Sequence, residues 1–345
     1  MKALVYLGDG KFDLRQHRKP EIMQPTDAIV KMHKTSLCGT DLHILNGDVP
    51  SCATGRVLGH EGVGVVEQVG AAVSAFKVGD KVVISCISAC GKCAFCRKLM
   101  YSHCVTGGWL LGNTVDGTQA EFVRIPYADT SLHPIAAHAD DEAMLMLSDI
   151  LPTAMECGAR NGKVQPGSSV AIVGAGPVGL AALLAVQLLS PIEIVVMDLD
   201  DNRLKLAKQL GATAVVNSGR RKADEIVMKL TSGHGVDTAI EAVGISATFE
   251  LCQKIIAPGG TIANIGVHGT KADLHLESLW GCNINITMGL VDTVSTPQLL
   301  RLVTARKIDP KVLITHHFTL DDAVKAYETF QNASTTKALK VVITA

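Results

Sequence analysis

The pattern of apolar and polar positions changes character once along the chain. Up to about residue 126, short segments of alternating apolar residues are separated by Gly, Pro and Asp, which predicts strands joined by tight turns. The clearest segments cover residues 28–32, 62–69, 81–84 and 120–125. Several short strands at such spacing favour a barrel-like all-β domain.

From residue 169 onward, apolar strands alternate with amphipathic helices, as a parallel sheet with crossover helices requires. The pattern predicts strands at residues 169–173, 193–198, 214–216, 236–241 and 260–265, with helices at 180–189, 202–210, 223–230 and 247–256. At least three such units predict a doubly wound α/β domain.

The last part of the chain has a weaker pattern, with helical stretches at residues 297–305 and 320–330 and a strand at 338–344. We expect this final strand to pair with the sheets of the first domain. The predicted domains are therefore residues 1–150, residues 151–289, and a return to the first domain over residues 290–345.

A glycine motif lies where the predicted doubly wound domain begins. It runs Gly174-Ala175-Gly176-Pro177-Val178-Gly179, directly after a strand and at the start of a helix. One glycine permits a tight turn, one lets the backbone approach a pyrophosphate, and one lets the helix pack on the strand. A glycine-rich turn with no ligand is the alternative, but this context favours dinucleotide binding.

Asp198 ends the next predicted strand, nineteen residues after Gly179. A carboxylate there would accept hydrogen bonds from ribose hydroxyls and repel a 2′-phosphate. Asp200 and Asp201 deepen the negative field, and Arg203 offsets it only in part. The sequence therefore favours NAD over NADP.

Two groups of residues have the chemistry of metal ligands. Four thiols, Cys90, Cys93, Cys96 and Cys104, can surround one ion from a single loop, which predicts a closed structural zinc site. An iron–sulfur cluster or a redox thiol set is the alternative, but Pro is absent after the last Cys.

The second group is Cys38-Gly39-Thr40-Asp41-Leu42-His43 with Gly59-His60-Glu61. Cys and His form a zinc-type ligand set, and a catalytic zinc takes three protein ligands and leaves one position open. A buried free Cys beside polar loop residues is the alternative for this pair alone.

Composition narrows the class of protein further. The chain has 345 residues, of which 47% are hydrophobic and 19% charged, as expected for about two compact domains. A net charge of −1 gives no general attraction to nucleic acid or to an anionic membrane. Its apolar runs are too short to span a bilayer. Clustered cysteines without a secretion signal favour metal binding in a reducing cytoplasm over disulfides.

Together these motifs, in this order, resemble the zinc-containing medium-chain alcohol dehydrogenases over essentially the whole chain. The subgroup of formaldehyde-dehydrogenase-like and secondary-alcohol dehydrogenases is the most similar, through Gly107-Gly108-Trp109, residues 116–121 and residues 147–153. The resemblance implies a GroES-like β-barrel catalytic domain and a Rossmann cofactor domain.

The resemblance also implies a third catalytic-zinc ligand, Asp149, beside Cys38 and His60. Members such as liver alcohol dehydrogenase have a Cys at that position, whereas the subgroup is similar to this chain. Cys157 lies eight residues further on and is expected to be buried in a helix rather than to bind the metal. A carboxylate in place of a thiolate keeps the formal charge and hardens the site.

Further roles follow from the resemblance, residue by residue. Thr40 and His43 would begin and end a proton relay through the cofactor ribose, Glu61 would approach the zinc when ligands exchange, and Asp41 would orient His60. Turn and surface roles remain the alternatives for Thr40 and His43. The other implied cofactor contacts are Thr153, Val243, Val267 and Lys340. Lys340 would contact the pyrophosphate, with an ordinary exposed lysine as the alternative. Trp109 is expected in the substrate pocket, with Trp280 as a second candidate.

The implied activity is zinc- and NAD-dependent oxidation of a primary or secondary alcohol to an aldehyde or ketone, which is reversible. Two zinc ions per chain, a small alcohol, aldehyde or ketone as substrate, and a homotetramer are expected. The alternatives are a polyol- or threonine-type dehydrogenase, a formaldehyde dehydrogenase or dismutase with tightly bound NAD, and a binding protein that has kept the fold without the activity.

Overall fold

The computed structural model describes residues 1–345. The chain folds into two compact units. Residues 1–149 together with residues 292–345 form one, called here the terminal unit, and residues 150–291 form the other, called the central unit.

The terminal unit is rich in β-structure. Its strands are β1 (Lys2–Gly8), β2 (Lys11–Gln16), β3 (Ala28–Ser36), β4 (Gly62–Val69), β5 (Lys81–Ile84), β6 (Phe122–Ile125), β7 (Leu132–Pro134), β14 (Ile314–Thr319) and β15 (Lys340–Thr344). Its helices are α1 (Gly39–Leu45), α2 (Ala128–Ser131), α3 (Asp141–Leu145), α10 (Thr296–Thr304), α11 (Ala323–Gln331) and α12 (Ala333–Thr336).

A seven-stranded sheet in the order β14-β15-β3-β4-β5-β7 organises this unit, with β6 pairing β3, while β1 and β2 form a separate hairpin. The central strand β3 is buried at most of its positions, as its apolar run predicts. Strand β15 pairs antiparallel with β3, so the last strand of the chain joins the sheet of the first segment.

The central unit contains a parallel sheet flanked by helices. Its strands are β8 (Ser169–Val173), β9 (Glu193–Asp198), β10 (Ala214–Asn217), β11 (Val236–Glu241), β12 (Ile256–Asn264) and β13 (Asn285–Met288). Its helices are α4 (Ile150–Thr153), α5 (Pro177–Gln187), α6 (Asp201–Gln209), α7 (Ala223–Leu230), α8 (Ser246–Ile255) and α9 (Leu276–Leu279), and a π-helical segment covers Ala154–Arg160.

All neighbours in this sheet pair in parallel, in the order β10-β9-β8-β11-β12-β13. Numbered from the first strand of the unit, this order is 3-2-1-4-5-6, which defines the dinucleotide-binding form of the doubly wound fold. The prediction of a β-rich domain and a doubly wound domain is confirmed.

Element boundaries differ from the prediction mainly at helix starts. Helix α5 begins at Pro177 and not at residue 180, because Pro at the first helical position needs no hydrogen-bond partner for its nitrogen. Short 3₁₀ segments at Cys96–Lys98, Tyr101–His103, Pro310–Leu313 and Leu320–Asp322 had no sequence signal strong enough to predict. None of the helices has both the length and the apolar character needed to cross a bilayer.

Candidate functional site: two metal-ligating clusters and a dinucleotide turn

The terminal unit brings Cys38, His60, Glu61 and Asp149 together, with one ligating atom from each within 4.8 Å of the others. His60 Nε2 lies 3.3 Å from Asp149 Oδ2, and Cys38 Sγ lies 3.8 Å from the same oxygen. We call these four residues the mixed cluster. Its members come from three segments that are far apart in sequence, and only folding unites them.

Local structure presents each ligand to this point. Cys38 is the N-cap residue of α1, where the backbone is extended, so its side chain projects from the start of the helix. His60 and Glu61 follow Gly59, whose φ of +92° only glycine adopts readily. Asp149 follows Ser148, whose carbonyl accepts a hydrogen bond from the backbone of Cys86.

Electrostatics in the mixed cluster favours a cation. Burial lowers the pKa of His60, but hydrogen bonds to Asp149 and Cys38 outweigh burial and hold it well above its ordinary value. The anionic groups therefore draw a proton onto the imidazole. The same field would attract a metal ion, which would replace that proton.

The distances within the mixed cluster fit zinc. Ligands at ordinary Zn–S, Zn–N and Zn–O lengths in a tetrahedron lie about 3.6 Å apart for sulfur and oxygen and about 3.4 Å apart for nitrogen and oxygen. The observed separations of 3.8 Å and 3.3 Å are close to those values. The buried Glu61 Oε1 has no hydrogen-bond partner, which fits an oxygen that could contact a bound cation.

Glu61 is held by two buried groups. Its Oε2 accepts a hydrogen bond from Ser36 Oγ and lies 2.5 Å from Lys340 Nζ. Burial lowers the pKa of Lys340, but the charges of Glu61 and Cys38 raise it by more than burial lowers it. The net shift of the pKa is therefore upward. The Lys340 ammonium is therefore a buried positive charge next to the mixed cluster.

This placement corrects one of the two expectations for Lys340. Its side chain is 3% exposed, and its ammonium also donates to the carbonyl of Leu37. An ordinary exposed lysine does not agree with that environment, so that alternative is wrong, whereas the contact with a pyrophosphate stays a prediction. A buried ammonium needs an acceptor, and Glu61 supplies it.

Asp41 lies inside the protein near His60, but no hydrogen bond joins the two side chains. Asp41 Oδ2 instead accepts the backbone N–H of Cys38 at 2.9 Å, while Asp41 Oδ1 and His60 Nδ1 are buried without a partner. Burial raises the pKa of Asp41, and the charge of His60 opposes that rise. The predicted orienting role of Asp41 stays a prediction, because no hydrogen bond joins it to His60.

The four-cysteine cluster consists of Cys90, Cys93, Cys96 and Cys104, whose sulfurs lie within 4.8 Å of one another. Cys90 Sγ and Cys96 Sγ are 4.0 Å apart, close to the edge of about 3.8 Å of a Zn–S₄ tetrahedron. Backbone N–H groups of Cys96 and Val105 lower the pKa of Cys93 to about 6. Burial raises the pKa of Cys96 to about 12.

The two ends of the predicted relay lie on α1, three residues apart on one helix face. Thr40 Oγ1 lies 3.6 Å from Cys38 Sγ, at the mixed cluster. His43 Nδ1 pairs with Asp48 Oδ2 at 2.9 Å, and its side chain is 39% exposed. Thr40 and His43 are not hydrogen-bonded to each other, so any proton path between them needs an additional group.

Of the two tryptophans, only Trp109 lies at the mixed cluster. Its ring stands edge-on to His60 with centroids 6.1 Å apart, and its Nε1 donates to the carbonyl of Leu111. Trp280, in the central unit, is 83% exposed. An apolar wall beside the metal ligands is therefore present at Trp109.

The glycine motif of the central unit has the geometry predicted from its spacing. Gly174 adopts φ +108°, and a side-chain carbon at Gly179 would lie 1.9 Å from the carbonyl oxygen of Gly174. A carbon at Gly176, the N-cap of α5, would meet only the Arg203 guanidinium at 3.9 Å. The turn thus leaves room above Gly176, where helix N–H groups and a cation favour an anion.

Asp198 closes this turn at the end of β9. Its Oδ2 accepts the backbone N–H of Ala175 at 2.6 Å, and its Oδ1 accepts those of Leu199 and Asp200. About one of the four acceptor positions of a carboxylate is left for a ribose hydroxyl. The charge that would repel a 2′-phosphate is retained.

The remaining predicted cofactor positions lie in the same unit. Val243 follows β11 and Val267 follows β12, and both are exposed. They lie at the carboxyl edge of the parallel sheet, where ligands of this fold bind. Thr153 ends α4 and is partly exposed. Cys157 is buried in the π-helical segment, 3.3 Å from the carbonyl of Gly289, as expected for a residue that is not a ligand.

Several residues around the mixed cluster were not predicted. Ser36 on β3 and Tyr327 on α11 had no recognisable signal, and Gln119 was noticed only as part of the motif at residues 116–121. Burial raises the pKa of the Cys86 thiol well above its ordinary value, and the charge of Asp149 adds to the rise. Their common feature is burial against a ligand segment.

A β-rich unit with a mixed Cys/His/carboxylate cluster and a four-cysteine cluster, and a doubly wound unit with a glycine turn, define a class: zinc-containing oxidoreductases. Comparison with known proteins agrees. The family model described as "Alcohol dehydrogenase GroES-like domain" matches residues 24–137, and "Zinc-binding dehydrogenase" matches residues 177–305.

An alcohol dehydrogenase of Cupriavidus necator is 35% identical, with 96% of this chain and 95% of the relative covered. The NADP-dependent isopropanol dehydrogenase of Thermoanaerobacter brockii is 33% identical, with 95% of each covered. The structure of zinc dependent alcohol dehydrogenase 2 from Streptococcus pneumonia, in its apo form, is 53% identical with a TM-score of 0.95, covering 100% of this chain and 98% of that one. The chain belongs to the zinc-containing medium-chain alcohol dehydrogenase family.

Proposed function

We infer that this protein is a zinc- and NAD-dependent dehydrogenase that interconverts a primary or secondary alcohol and the corresponding aldehyde or ketone. The observation that carries this proposal is the mixed cluster, in which Cys38, His60 and Asp149 converge at zinc-ligand distances. Three protein ligands leave one position for substrate. A zinc ion bound there would act as a Lewis acid on the substrate oxygen.

The chain's own residues supply the two ends of the proposed proton path, and the cofactor ribose would join them. Thr40 Oγ1, beside Cys38, is placed to accept the proton of the substrate hydroxyl. The ring of His43 exchanges that proton with water, and Asp48 holds the ring by its Nδ1. A nicotinamide ring bound by the central unit would accept the hydride that leaves the substrate carbon.

NAD is the proposed coenzyme because of Asp198. Its carboxylate ends β9 above the glycine turn, with Asp200 and Asp201 following it. The positive charge of Arg203, near Gly176, opposes the negative field of these carboxylates. The isopropanol dehydrogenase of Thermoanaerobacter brockii, a relative of this chain, is named as NADP-dependent. A direct comparison of the two coenzymes therefore tests the proposal most sharply.

The test is a kcat/KM panel of primary alcohols, secondary alcohols and polyols with NAD and with NADP. We expect NAD to be preferred by at least about 100-fold, since a carboxylate facing a 2′-phosphate costs several kcal/mol. Asp198→Ala should narrow this preference by raising the efficiency with NADP, whereas the matched change Asp201→Ala should affect it less. A wild-type preference for NADP would contradict the assignment.

Small or apolar alcohols are the proposed substrates because Trp109 lies beside His60. Activity confined to polyols or threonine would favour the alternative dehydrogenases. NAD that remains bound through purification would favour a formaldehyde dehydrogenase or dismutase, and native mass measurement would reveal it.

A homotetramer is proposed as the assembly. In the central unit, β13 forms an edge of the sheet, and Met288 on that strand is 69% exposed. Leu276 on α9 and Trp280, which directly follows that helix, are exposed as well. Exposed apolar side chains beside an unpaired strand edge are typical of surfaces between subunits. Light scattering after size-exclusion chromatography would measure the mass, and a monomer would contradict the proposal.

A further inference from the structure

A buried hydrogen-bonded chain runs from the last third of the sequence to the mixed cluster. Tyr327 Oη, on α11, donates to Gln119 Oε1 at 2.8 Å. Gln119 Nε2 donates to Asp41 Oδ2 at 3.2 Å, and the same oxygen accepts the backbone N–H of the ligand Cys38 at 2.9 Å. All three side chains are 0% exposed.

Gln119 also touches the segment that carries the ligand His60. Its backbone N–H donates to the carbonyl of Leu58 at 2.9 Å. A side-chain carbon added at Gly59 would lie 2.6 Å from Gln119 Cγ, so the glycine before His60 packs directly on this side chain. Gln119 therefore contacts both the segment that carries Cys38 and the segment that carries His60.

The directions of these hydrogen bonds determine the orientation of the Gln119 side-chain amide. Gln119 accepts from a phenol and donates to a carboxylate, so turning the amide by 180° would place its oxygen against Asp41. Asp41 Oδ2 already accepts two hydrogen bonds, which leaves Oδ1 as the only oxygen able to serve His60. Both Asp41 Oδ1 and His60 Nδ1 are buried and have no hydrogen-bond partner.

We propose that Gln119, backed by Tyr327, is a positioning residue for the metal centre: it holds Asp41 so that one carboxylate oxygen stays directed toward His60. A fixed acceptor at Nδ1 keeps the proton on that nitrogen and leaves Nε2 as the ligand atom. This inference rests on the proposed zinc site. Neither residue touches substrate or cofactor in this role.

The test measures zinc release from the mixed cluster into a chromogenic chelator, in the absence of substrate and coenzyme. Gln119→Leu keeps the volume and removes both hydrogen bonds, and we expect release about 10-fold faster, as for other groups that orient metal ligands. Tyr327→Phe removes one hydroxyl, and about fivefold faster release is expected. Tyr6→Phe, in the same apolar cluster, is the matched control and should leave release unchanged.

The double variant Gln119→Leu/Tyr327→Phe separates positioning from general loosening. If Tyr327 acts only through Gln119, the double variant should release zinc no faster than Gln119→Leu alone. The visible spectrum of the cobalt-substituted protein should shift in Gln119→Leu, because the ligand field changes. Additive effects of the two changes, or release at the wild-type rate in either single variant, would overturn the proposal.

These readouts do not depend on the substrate. A wild-type protein that binds zinc in the mixed cluster but oxidises no alcohol would refute the proposed function and leave this inference intact. An active wild-type enzyme whose Tyr327→Phe variant has an unchanged spectrum and unchanged zinc release would refute this inference alone. Tyr327→Phe also serves if Gln119→Leu fails to fold.

Discussion

The two metal-ligating clusters of the terminal unit are built in opposite ways. The four-cysteine cluster takes all its ligands from one loop of fifteen residues, 90–104, and backbone N–H groups surround its sulfurs. The mixed cluster draws three kinds of ligand atom from three distant segments, and buried side chains support it. A local cluster can stabilise a loop by itself, whereas a dispersed cluster needs the whole fold to bring its ligands together.

The same contrast appears in the chemistry of the ligands. Four thiolates close a tetrahedron and leave no position for a substrate. A thiolate, an imidazole and a carboxylate leave one position open, with Thr40 beside it. We infer that the closed cluster contributes stability and the open cluster contributes reactivity. Four predictions test this assignment of stability to one cluster and reactivity to the other.

The largest effect is expected from Asp149→Ala. The variant should lose the metal of the mixed cluster and keep that of the four-cysteine cluster, so elemental analysis should show about one zinc per chain where the wild type has about two. Activity should fall by at least about 1,000-fold, because Lewis-acid stabilisation is worth several kcal/mol. Asp321→Ala, an exposed carboxylate paired with Lys2, is the control. Two zinc ions and full activity in Asp149→Ala would refute the ligand assignment.

Lys340→Met tests the support of the mixed cluster. It leaves the Glu61 carboxylate buried without its cation, and the terminal unit should lose about 3–5 kcal/mol in free energy of unfolding. Denaturant unfolding of the zinc-loaded protein would measure this. The double variant Lys340→Met/Glu61→Gln should recover part of the loss, since a neutral amide costs less to bury. A loss below about 1 kcal/mol would show that the pair is not a support.

Cys93→Ser tests the four-cysteine cluster. We expect loss of one zinc and a fall of at least about 5 °C in the first thermal transition, equivalent to about 2 kcal/mol. The kcat at 25 °C should change by less than about threefold, since no open position lies in that cluster. Cys282→Ser, outside both clusters, is the control. A large loss of kcat with normal zinc content in the mixed cluster would contradict the inference that the four-cysteine cluster contributes only stability.

The smallest expected effect is on the pH dependence of stability. Acid releases metal from both clusters, because the ligands must be deprotonated to bind it. His133 on β7 is half-buried, and its Nε2 is buried without a hydrogen-bond partner. Burial lowers its pKa to about 4 from 6.5. Between these values the unfolded chain binds more protons, so stability is lost as the pH falls from about 6.5 toward about 4.

His133→Leu removes this titration from the sheet that carries the ligand segments. Between pH 8 and pH 5.5 the variant should lose roughly 1 kcal/mol less stability than the wild type. Unfolding of the metal-free forms at both pH values would measure the difference. His138→Leu, at an exposed position, should behave like the wild type. Equal pH slopes in His133→Leu and the wild type would show that His133 does not contribute to the acid sensitivity.

Prediction from the sequence was strongest where the signal is local. The four cysteines, the glycine turn and Asp198 lie in short segments whose spacing already indicates their geometry, and the structure brings each group together. The strands of both sheets were also predictable, since buried strands leave continuous apolar runs. Helix starts and 3₁₀ turns were less predictable, because a single proline or cap residue moves them.

Lys340 shows why the rest could not be predicted. Its sequence neighbourhood identifies a strand, but β15 lies between β14 and β3, and that position buries the ammonium against a carboxylate 279 residues away. Gln119 and Tyr327 are likewise 208 residues apart. Such pairs have no period or spacing that a sequence reveals.

The sequence by itself determined the class of each unit, the identity of the ligand types and the turn that fits a dinucleotide, because these depend on local backbone geometry and side-chain chemistry. Only the tertiary structure decided which carboxylate joins Cys38 and His60 in space, where Lys340 ends, and which buried groups hold Asp41. The physical reason is that burial makes polar groups depend on partners, and the fold alone determines which distant residues become those partners.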